Sequence, residues 1–207
     1  MYKRQGGQFT DFDNNDGLIQ ALAGSEVQFV GHVDIFGGTL AAIGSGVLRN
    51  QNNTALRLAD VVVDGDLIVD DGNTHFVGEI ENRQNMLFNG KTLLLDSDIT
   101  LTGGGSITLS DSTSGATSSI NGSGGTHNLN IVNQTIEGFG SMSSNNLNIV
   151  NQESGLIDAN VDGETLTINP AQVGNVDQFQ NEGILRASNG GTMNIIDFEN
   201  NLSLIHI

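Results

Sequence analysis

Residues 179–195 read "FQNEGILRASNGGTMNI", and residues 150–168 read "VNQESGLIDANVDGETLTI". Both stretches contain an Asn turn, a glycine, a short apolar segment, a polar turn and a final apolar-polar-apolar triplet. A third line, "FDNNDGLIQALAGSEVQF" at 12–29, repeats this order, and "VNQTIEGFGSMSSNNLNI" at 132–149 keeps both of its ends. A pattern that recurs in units of 17 to 19 residues is typical of a stacked repeat protein.

Each unit contains two candidate strands. The first follows the glycine, at 18–19, 156–157 and 184–185, and the second ends the unit, at 27–29, 166–168 and 193–195. Two half-buried strands cannot enclose a core alone, so each unit has to stack on the next. The pattern therefore predicts an all-β protein, a parallel β-helix (β-solenoid), in which the side chains of Ile157, Ile168, Leu185 and Ile195 point inward.

The hexapeptide "LNIVNQ" occurs twice, at 129–134 and 147–152. We interpret it as the end of one coil that runs into the Asn turn of the next, with the two copies placed one above the other. Asn133, Asn151 and Asn181 are then expected to form a hydrogen-bonded ladder of side-chain amides. Gly17, Gly155 and Gly183 are expected at corners that need either a positive φ or a close approach of the backbone.

The repeat is degenerate between residues 31 and 126, but the alternation of apolar and polar residues continues there. It predicts strands within 38–43, 54–59, 66–70, 91–101 and 106–110. Residues 169–178 are expected to lengthen one coil, and the Ser- and Gly-rich stretch 110–126 is expected to be a mobile loop. Only 16–24 has an ambiguous helical period.

Both ends of the chain are predicted to be artefacts of DNA library preparation. The codons GTG TAT AAG AGA CAG encode the first five residues, with GTG as initiator, and their reverse complement encodes Leu-Ser-Leu-Ile-His of the last six. This DNA sequence resembles the inverted transposon end used in sequencing libraries. We therefore expect residues 1–5 and 202–207 to be adaptor-derived, and 6–201 to be a metagenomic fragment forming a single β-solenoid of about ten coils.

The composition excludes several kinds of function. The chain has no Cys, which rules out disulfides and thiolate metal sites. Its formal net charge of −17 rests on 24 acidic and only seven basic residues. Because affinity for a phosphate backbone comes from Lys and Arg, no nucleic-acid partner is expected. Anionic membrane surfaces are disfavoured for the same reason.

The lines at 150–168 and 179–195 resemble the Asn/Gly-turn repeats of large bacterial surface proteins of the autotransporter and filamentous-haemagglutinin-like type. The resemblance covers about residues 12–201. It implies a right-handed, pectin-lyase-like parallel β-helix in a secreted or cell-surface rod that is often adhesive. The sequence carries no membrane-barrel or secretion module of that family.

Catalytic motifs of related β-helices match poorly. Hydrolases of this architecture look as if they need paired aspartates near a Gly-His-Gly and an Arg-x-Lys. Here Asp70 and Asp71 are adjacent and "GHVD" occurs at 31–34, but Arg-x-Lys is missing. Neighbouring residues on a strand point to opposite faces, so a strand end is the better interpretation of the two aspartates. We predict no catalytic residue and no enzyme.

Binding motifs are equally weak. His32, His75 and His127 are far apart in sequence, which argues against a metal cluster. "DFDNNDG" at 11–17 suggests a calcium loop, but Ala23 stands where that loop needs a carboxylate. The stretch fits the Asn-turn repeat better, with weak calcium binding at the surface as the alternative. "NGSGG" at 121–125 lacks the Gly-Lys-Ser/Thr of a phosphate loop. Sugar sites usually present aromatic rings, and the coil-start phenylalanines are expected in the core (Phe12, Phe179 and Phe198). We predict no cofactor or metal site.

The sequence thus favours a non-catalytic stalk or adhesin-type segment of a long extracellular or cell-surface bacterial protein. The alternative is a polysaccharide-processing β-helix enzyme whose active coil lies outside this chain. The expected partners are an unknown surface or host ligand and the neighbouring coils of a longer chain. In isolation the chain is expected to self-associate end to end, because open strand edges pair readily.

Overall fold

A computed structural model describes residues 11–112, 114–170 and 178–196, without the side chains of residues 11 and 52–54. All secondary-structure elements within these ranges are β-strands, which confirms the all-β prediction. The strands are β1 (Asp11–Asp13), β2 (Leu18–Ala21), β3 (Glu26–Phe36), β4 (Thr39–Ala42), β5 (Val47–Asp64), β6 (Leu67–Val69), β7 (Asn73–Asn82), β8 (Asn85–Asn89), β9 (Thr92–Thr102), β10 (Ser106–Ser110), β11 (Ser119–Gly122), β12 (His127–Ile131), β13 (Thr135–Gly138), β14 (Gly140–Ser143), β15 (Leu147–Asn151), β16 (Leu156–Ala159), β17 (Thr165–Asn169), β18 (Phe179–Asn181), β19 (Ile184–Ala187) and β20 (Thr192–Ile195).

The strands wind around one axis and form three faces, each of which is a parallel β-sheet. Face 1 contains β1, the end of β3, the middle of β5, the starts of β7 and β9, and then β11, β14, β17 and β20. Face 2 contains β2, β4, the ends of β5, β7 and β9, and then β12, β15 and β18. Face 3 contains the starts of β3 and β5, and then β6, β8, β10, β13, β16 and β19. The chain is a parallel β-helix, as the sequence predicts.

Each coil has three strands, whereas the repeat pattern predicted two. The extra strand comes from the segment that the pattern assigned to the Asn turn, as β15 and β18 show. These strands are short and end in a polar Asn, so their sequence resembles that of a turn. Each of the five segments predicted as strands between residues 38 and 110 overlaps a strand, namely β4, β5, β6, β9 and β10, and 16–24 contains strand β2.

Continuous apolar rows fill the interior. On face 1, Ile120, Met142, Ile168 and Ile195 are register partners in successive coils. On face 3, Ile136, Ile157 and Leu185 form the corresponding row. Ile157, Ile168 and Leu185 are buried and Ile195 packs against the core, which confirms the predicted inward positions. Each buried Leu or Ile side chain contributes roughly 1.5–3 kcal/mol to the hydrophobic stabilisation.

The two copies of "LNIVNQ" do not stack residue on residue. Leu129 pairs with Ile149, and Leu147 pairs with His127, so the copies are displaced by two residues along the strand. A shift by two residues keeps every side chain on the same side of the sheet. The two identical hexapeptides therefore keep the same alternation of inward and outward side chains. The structural repeat here is nevertheless two residues longer than the sequence repeat.

The predicted amide ladder exists for two of its three members. Asn151 Nδ2 donates to Asn181 Oδ1 at 2.7 Å, and both side chains are buried. Asn133 is exposed, and Ile131 lies opposite Asn151, so the prediction for Asn133 is wrong. The next residue, Gln134, is buried instead and donates to the backbone oxygen of Asn82 at 2.7 Å.

The corner glycines are required by close approach. A Cβ on Gly17 would lie 2.3 Å from Asn14 Oδ1, and one on Gly155 would lie 2.1 Å from Asn151 Oδ1. Gly183 would meet the backbone oxygen of Gly155 at 2.4 Å. Gly17 nevertheless precedes a strand of face 2, while Gly155 and Gly183 precede strands of face 3. One Asn-Gly corner motif is thus used at two different corners.

The structure also bears on the predictions for the coil-start phenylalanines, the loop at 110–126 and the coil extension at 169–178. Phe179 is buried, but Phe12 is 51% exposed because it lies in the first described coil; Phe198 lies outside the described residues. Part of the predicted loop 110–126 is strand β11, whose Ile120 is fully buried, so the loop is shorter than expected. Most of the expected coil extension, 171–177, also lies outside the described residues.

Candidate functional site

A charged cluster on the outside of face 1 joins three coils. Arg57 and His75 are register partners on β5 and β7. Asp96 on β9 contacts both, with Oδ1 3.0 Å from His75 Nδ1 and Oδ2 3.3 Å from Arg57 Nε. The Arg57 guanidinium also lies over the ring of Phe36, 5.6 Å from its centroid. These contacts hold neighbouring coils together.

A second ionic cluster lies at the start of face 3. Arg49 on β5 donates to Glu26 on β3 and to Asp70 after β6, so one guanidinium bridges three coils. Gln28 Nε2 also donates to Glu26 Oε2 at 2.8 Å. The hydrogen bonds from Gln28 and then Arg49 lower the pKa of Glu26, because they stabilise its ionised form.

A third cluster lies near the other end of face 3. Asp158 is buried, and its Oδ2 accepts hydrogen bonds from Arg186 Nε at 3.0 Å and Nη2 at 2.6 Å. Ser188 Oγ lies 3.0 Å from both carboxylate oxygens. The pKa of Arg186 is raised, first by the hydrogen bond to Asp158 and then by its charge. Asp158 thus links two coils through charge-assisted hydrogen bonds.

The described surface has a polar groove where face 2 turns into face 3. Its lining includes a row of register partners on successive coils, Asn85, Ser106 and Thr135, which Asp66 continues at one end. Gly104 and Gly105 also line it. A Cβ on Gly105 would lie 2.3 Å from the Gln84 oxygen, so neighbouring coils approach closely there. We call this feature the face-3 groove.

Hydrogen bonds order the side chains of the face-3 groove. Asn85 Oδ1 accepts from Ser106 Oγ at 3.0 Å and from Thr108 Oγ1 at 2.8 Å. Thr108 Oγ1 also lies 3.2 Å from Glu137 Oε1, and Asn160 Nδ2 donates to Glu137 Oε2 at 2.9 Å. Because four coils contribute to this network, its polar atoms have defined positions rather than those of freely rotating surface side chains.

The aspartate pair that the sequence singled out takes part in separate contacts. Asp70 accepts from Arg49 and, at 2.5 Å, from Asn89 Nδ2. Asp71 instead lies 3.6 Å from Lys91 Nζ. Both residues directly follow β6, as expected for a strand end. The two carboxylates therefore serve different contacts between coils.

The three histidines also lie in separate environments. His32 lies 3.6 Å from Asp34, His75 belongs to the cluster on face 1, and His127 Nε2 lies 3.0 Å from the Ser123 oxygen. Within the described ranges, no group of three His, Asp or Glu side chains is arranged to hold a metal ion. In the "NGSGG" stretch, Asn121 and Gly122 end strand β11.

Sequence reasoning missed the face-3 groove and the three ionic clusters. Their residues are spaced by whole coils, with Arg49 and Glu26 separated by 23 positions and Asp158 and Arg186 by 28. Local motifs cannot show such spacings, because coil length varies along the chain. The run Gly103–Gly105, in the turn between β9 and β10, is a local signal in the sequence next to this groove.

Comparison of the chain with protein-family models, curated proteins and solved structures finds no match. Among the described residues, no helix has the length and apolar character needed to span a membrane.

Proposed function

We propose that this β-helix is a non-catalytic stalk or adhesin-type segment of a large secreted or cell-surface bacterial protein, of the autotransporter or filamentous-haemagglutinin-like type. The observation that carries the proposal is the use of charged side chains between coils. Arg49, Arg57 and Arg186 each contact carboxylates contributed by other coils. Groups used in this way reinforce a rod.

The interior supports the same role. The inward row from Ile120 to Ile195 on face 1 continues from coil to coil, and the matching row on face 3 does the same. A solenoid of this kind transmits force and distance along its axis, because each coil contacts its neighbours through a full set of strand pairings. The acidic surface keeps such rods apart from one another and from anionic membranes.

Two measurements on the full chain test the proposal. The purified protein is incubated with a panel of neutral, cationic and anionic polysaccharides, and new chain ends are quantified. The chain is also displayed on a bacterial surface between an anchor and a distal epitope, and epitope height and cell adhesion are measured. The proposal expects no turnover and an epitope raised by the length of the rod. Turnover of any polysaccharide would contradict it, as would an epitope at the height of the anchor alone.

A further inference from the structure

The turn between β6 and β7 holds an aspartate side chain against the backbone of the residue that follows it. The backbone nitrogen of Gly72 donates to Oδ1 of Asp71 at 2.9 Å. Because Oδ1 is bonded to Cγ, this contact also brings the nitrogen close to the carboxyl carbon. Glycine has no side chain that hinders the approach. The two atoms that form a bond when an aspartate cyclises are therefore already neighbours in the folded chain.

Contacts with the coils on either side fix this turn. The backbone nitrogens of Asp70 and Asp71 both donate to the Asn50 oxygen, at 3.1 and 3.3 Å. In the following coil, Lys91 Nζ lies 3.6 Å from Asp71 Oδ1. The side chain of Asp71 is nevertheless 49% exposed, so water reaches its carboxyl group. The turn thus keeps the reacting atoms together in a position that is open to solvent.

The chain contains three other Asp-Gly steps, and the fold places them differently. The backbone nitrogens of Gly17 and Gly163 donate to backbone oxygens of more distant residues, at 2.7 and 3.2 Å, and an attack by either nitrogen has to break that bond. The carboxylate of Asp64 lies 3.5 Å from Arg83 Nη1. Because the dipeptide is the same at every step, differences in geometry decide which one reacts fastest. The three comparison steps are 16–17, 64–65 and 162–163.

From these observations we infer that Asp71-Gly72 is a modification site, at which the fold promotes spontaneous conversion of aspartate into isoaspartate. The Gly72 nitrogen forms a bond to Cγ of the neutral carboxyl group, and a C–O bond of that group breaks. The hydroxyl leaves with the amide proton as one molecule of water, and a succinimide ring remains. The inference does not depend on the proposed stalk role.

Water then opens the succinimide ring in one of two ways. Addition at Cγ breaks the new C–N bond and restores aspartate. Addition at the former backbone carbonyl carbon breaks the original peptide bond to Gly72, and the chain continues through the former side chain as isoaspartate. No atom is oxidised or reduced, and water is the only other reactant.

Isomerisation changes the contact between coils. The main chain gains one carbon atom just before β7, whose first residue, Asn73, is the register partner of Ala55. Ring closure also removes the carboxylate that lies beside Lys91. A rod that persists for a long time therefore acquires a gradual chemical mark at one defined turn.

The test ages the full purified chain in buffer below its melting transition. Samples are digested at mildly acidic pH, and liquid chromatography with electron-transfer fragmentation quantifies succinimide and isoaspartate at each Asp-Gly step. Isoaspartate at residue 71 is expected to accumulate about tenfold faster than at the three comparison steps. In urea the four steps should react at similar rates, because the fold no longer positions the reacting atoms.

Matched variants check the chemistry. Asp71→Glu keeps the carboxylate but needs a six-membered ring, so isomerisation at this position should cease. Asp71→Asn forms the same ring with loss of ammonia instead of water and should react faster than the parent chain. Asp162→Glu, in another exposed turn, is the control and should leave the rate at residue 71 unchanged.

Two results would overturn the inference. One is a rate at residue 71 of the folded chain that is no higher than the rates at the comparison steps. The other is an advantage of residue 71 that persists undiminished in urea, since the flanking sequence rather than the fold would then set the rate. Both comparisons are made within the parent chain, so a variant that fails to fold affects neither.

Discussion

The side-chain amide of Asn151 donates a 2.7 Å hydrogen bond to that of Asn181, its register partner in the next coil. Both residues lie inside the β-helix, at the corner that leads from face 2 to face 3. Asn151 Nδ2 also lies 3.3 Å from the Ile184 oxygen. Asn151 Nδ2 therefore donates to one side-chain oxygen and one backbone oxygen where the chain has to turn within an apolar interior.

Replacing Asn151 with Ala should destabilise the protein. The change leaves Asn181 Oδ1 without its donor in a buried position, which costs about 1–3 kcal/mol. Urea unfolding monitored by circular dichroism measures the loss. Asn133→Ala is the control, because Asn133 is exposed and should change stability by less than about 0.5 kcal/mol. An equal effect of the two substitutions would show that the hydrogen bond between Asn151 and Asn181 does not stabilise the fold.

Replacing Ile168 with Asp should cost several kcal/mol, because the side chain is fully buried and an unpaired carboxylate is poorly compensated there. Thr167→Asp, on the same strand, places the same charge on the outer surface. Thermal melting should separate the two variants widely. A melting temperature unchanged by Ile168→Asp would contradict the inward register of β17.

Deleting Ser114 and Gly115 should leave the fold intact. This segment lies in the turn closed by the bridge between Asp111 and Thr117, and shortening a turn changes closure entropy only slowly. Deleting Ser119–Gly122 should instead prevent folding, because this segment is strand β11 and carries buried Ile120. Limited proteolysis and circular dichroism distinguish the two deletions. Loss of structure in both would show that the turn contributes to the stack.

Glu26 should make the stability of the protein dependent on pH. Its pKa is lowered below 4.5 by the hydrogen bonds from Gln28 and Arg49. A carboxyl whose folded pKa is lowered stabilises the fold above its ordinary value, and this contribution disappears as the pH falls through the lowered value. Glu26→Gln should therefore reduce stability at neutral pH and have little effect in strong acid.

The pH dependence is checked by urea unfolding across the acid range. Glu153→Gln, in the exposed turn after β15, provides the control and should not change the profile. A Glu26→Gln variant that differs from the parent equally at neutral and strongly acidic pH would show that the contacts of Glu26 do not depend on its charge.

The full chain should self-associate at high concentration. In the described residues, β1 pairs only with β3 and β2 pairs only with β4, so the first coil presents an open parallel edge. Leu18→Lys with Gln20→Lys should weaken the association, because charged side chains on an edge strand oppose pairing. Leu22→Lys, in the turn after β2, is the matched control. Sedimentation showing one monomeric species of the parent chain at every concentration would contradict the expectation.

Much of the fold could be predicted from the sequence, because burial in a stacked coil depends on local alternation. Ile157, Ile168 and Leu185 could be placed inside from their spacing alone. The corner glycines could be recognised too, since Gly17 and Gly155 each follow an Asn within four residues. The number of strands per coil was wrong because β15 and β18 end in polar Asn residues that resemble a turn.

The sequence by itself therefore determined the fold class and the inward positions, since side-chain alternation and glycine corners are local properties. Only the tertiary structure decided which coils stand above one another. It placed Ile131 rather than Asn133 opposite Asn151, and it brought Asp66, Asn85, Ser106 and Thr135 into one groove. The physical reason is that stacking register depends on the length of every intervening turn. A shift by two residues preserves the inside-outside pattern, so the letters alone cannot distinguish one register from the next.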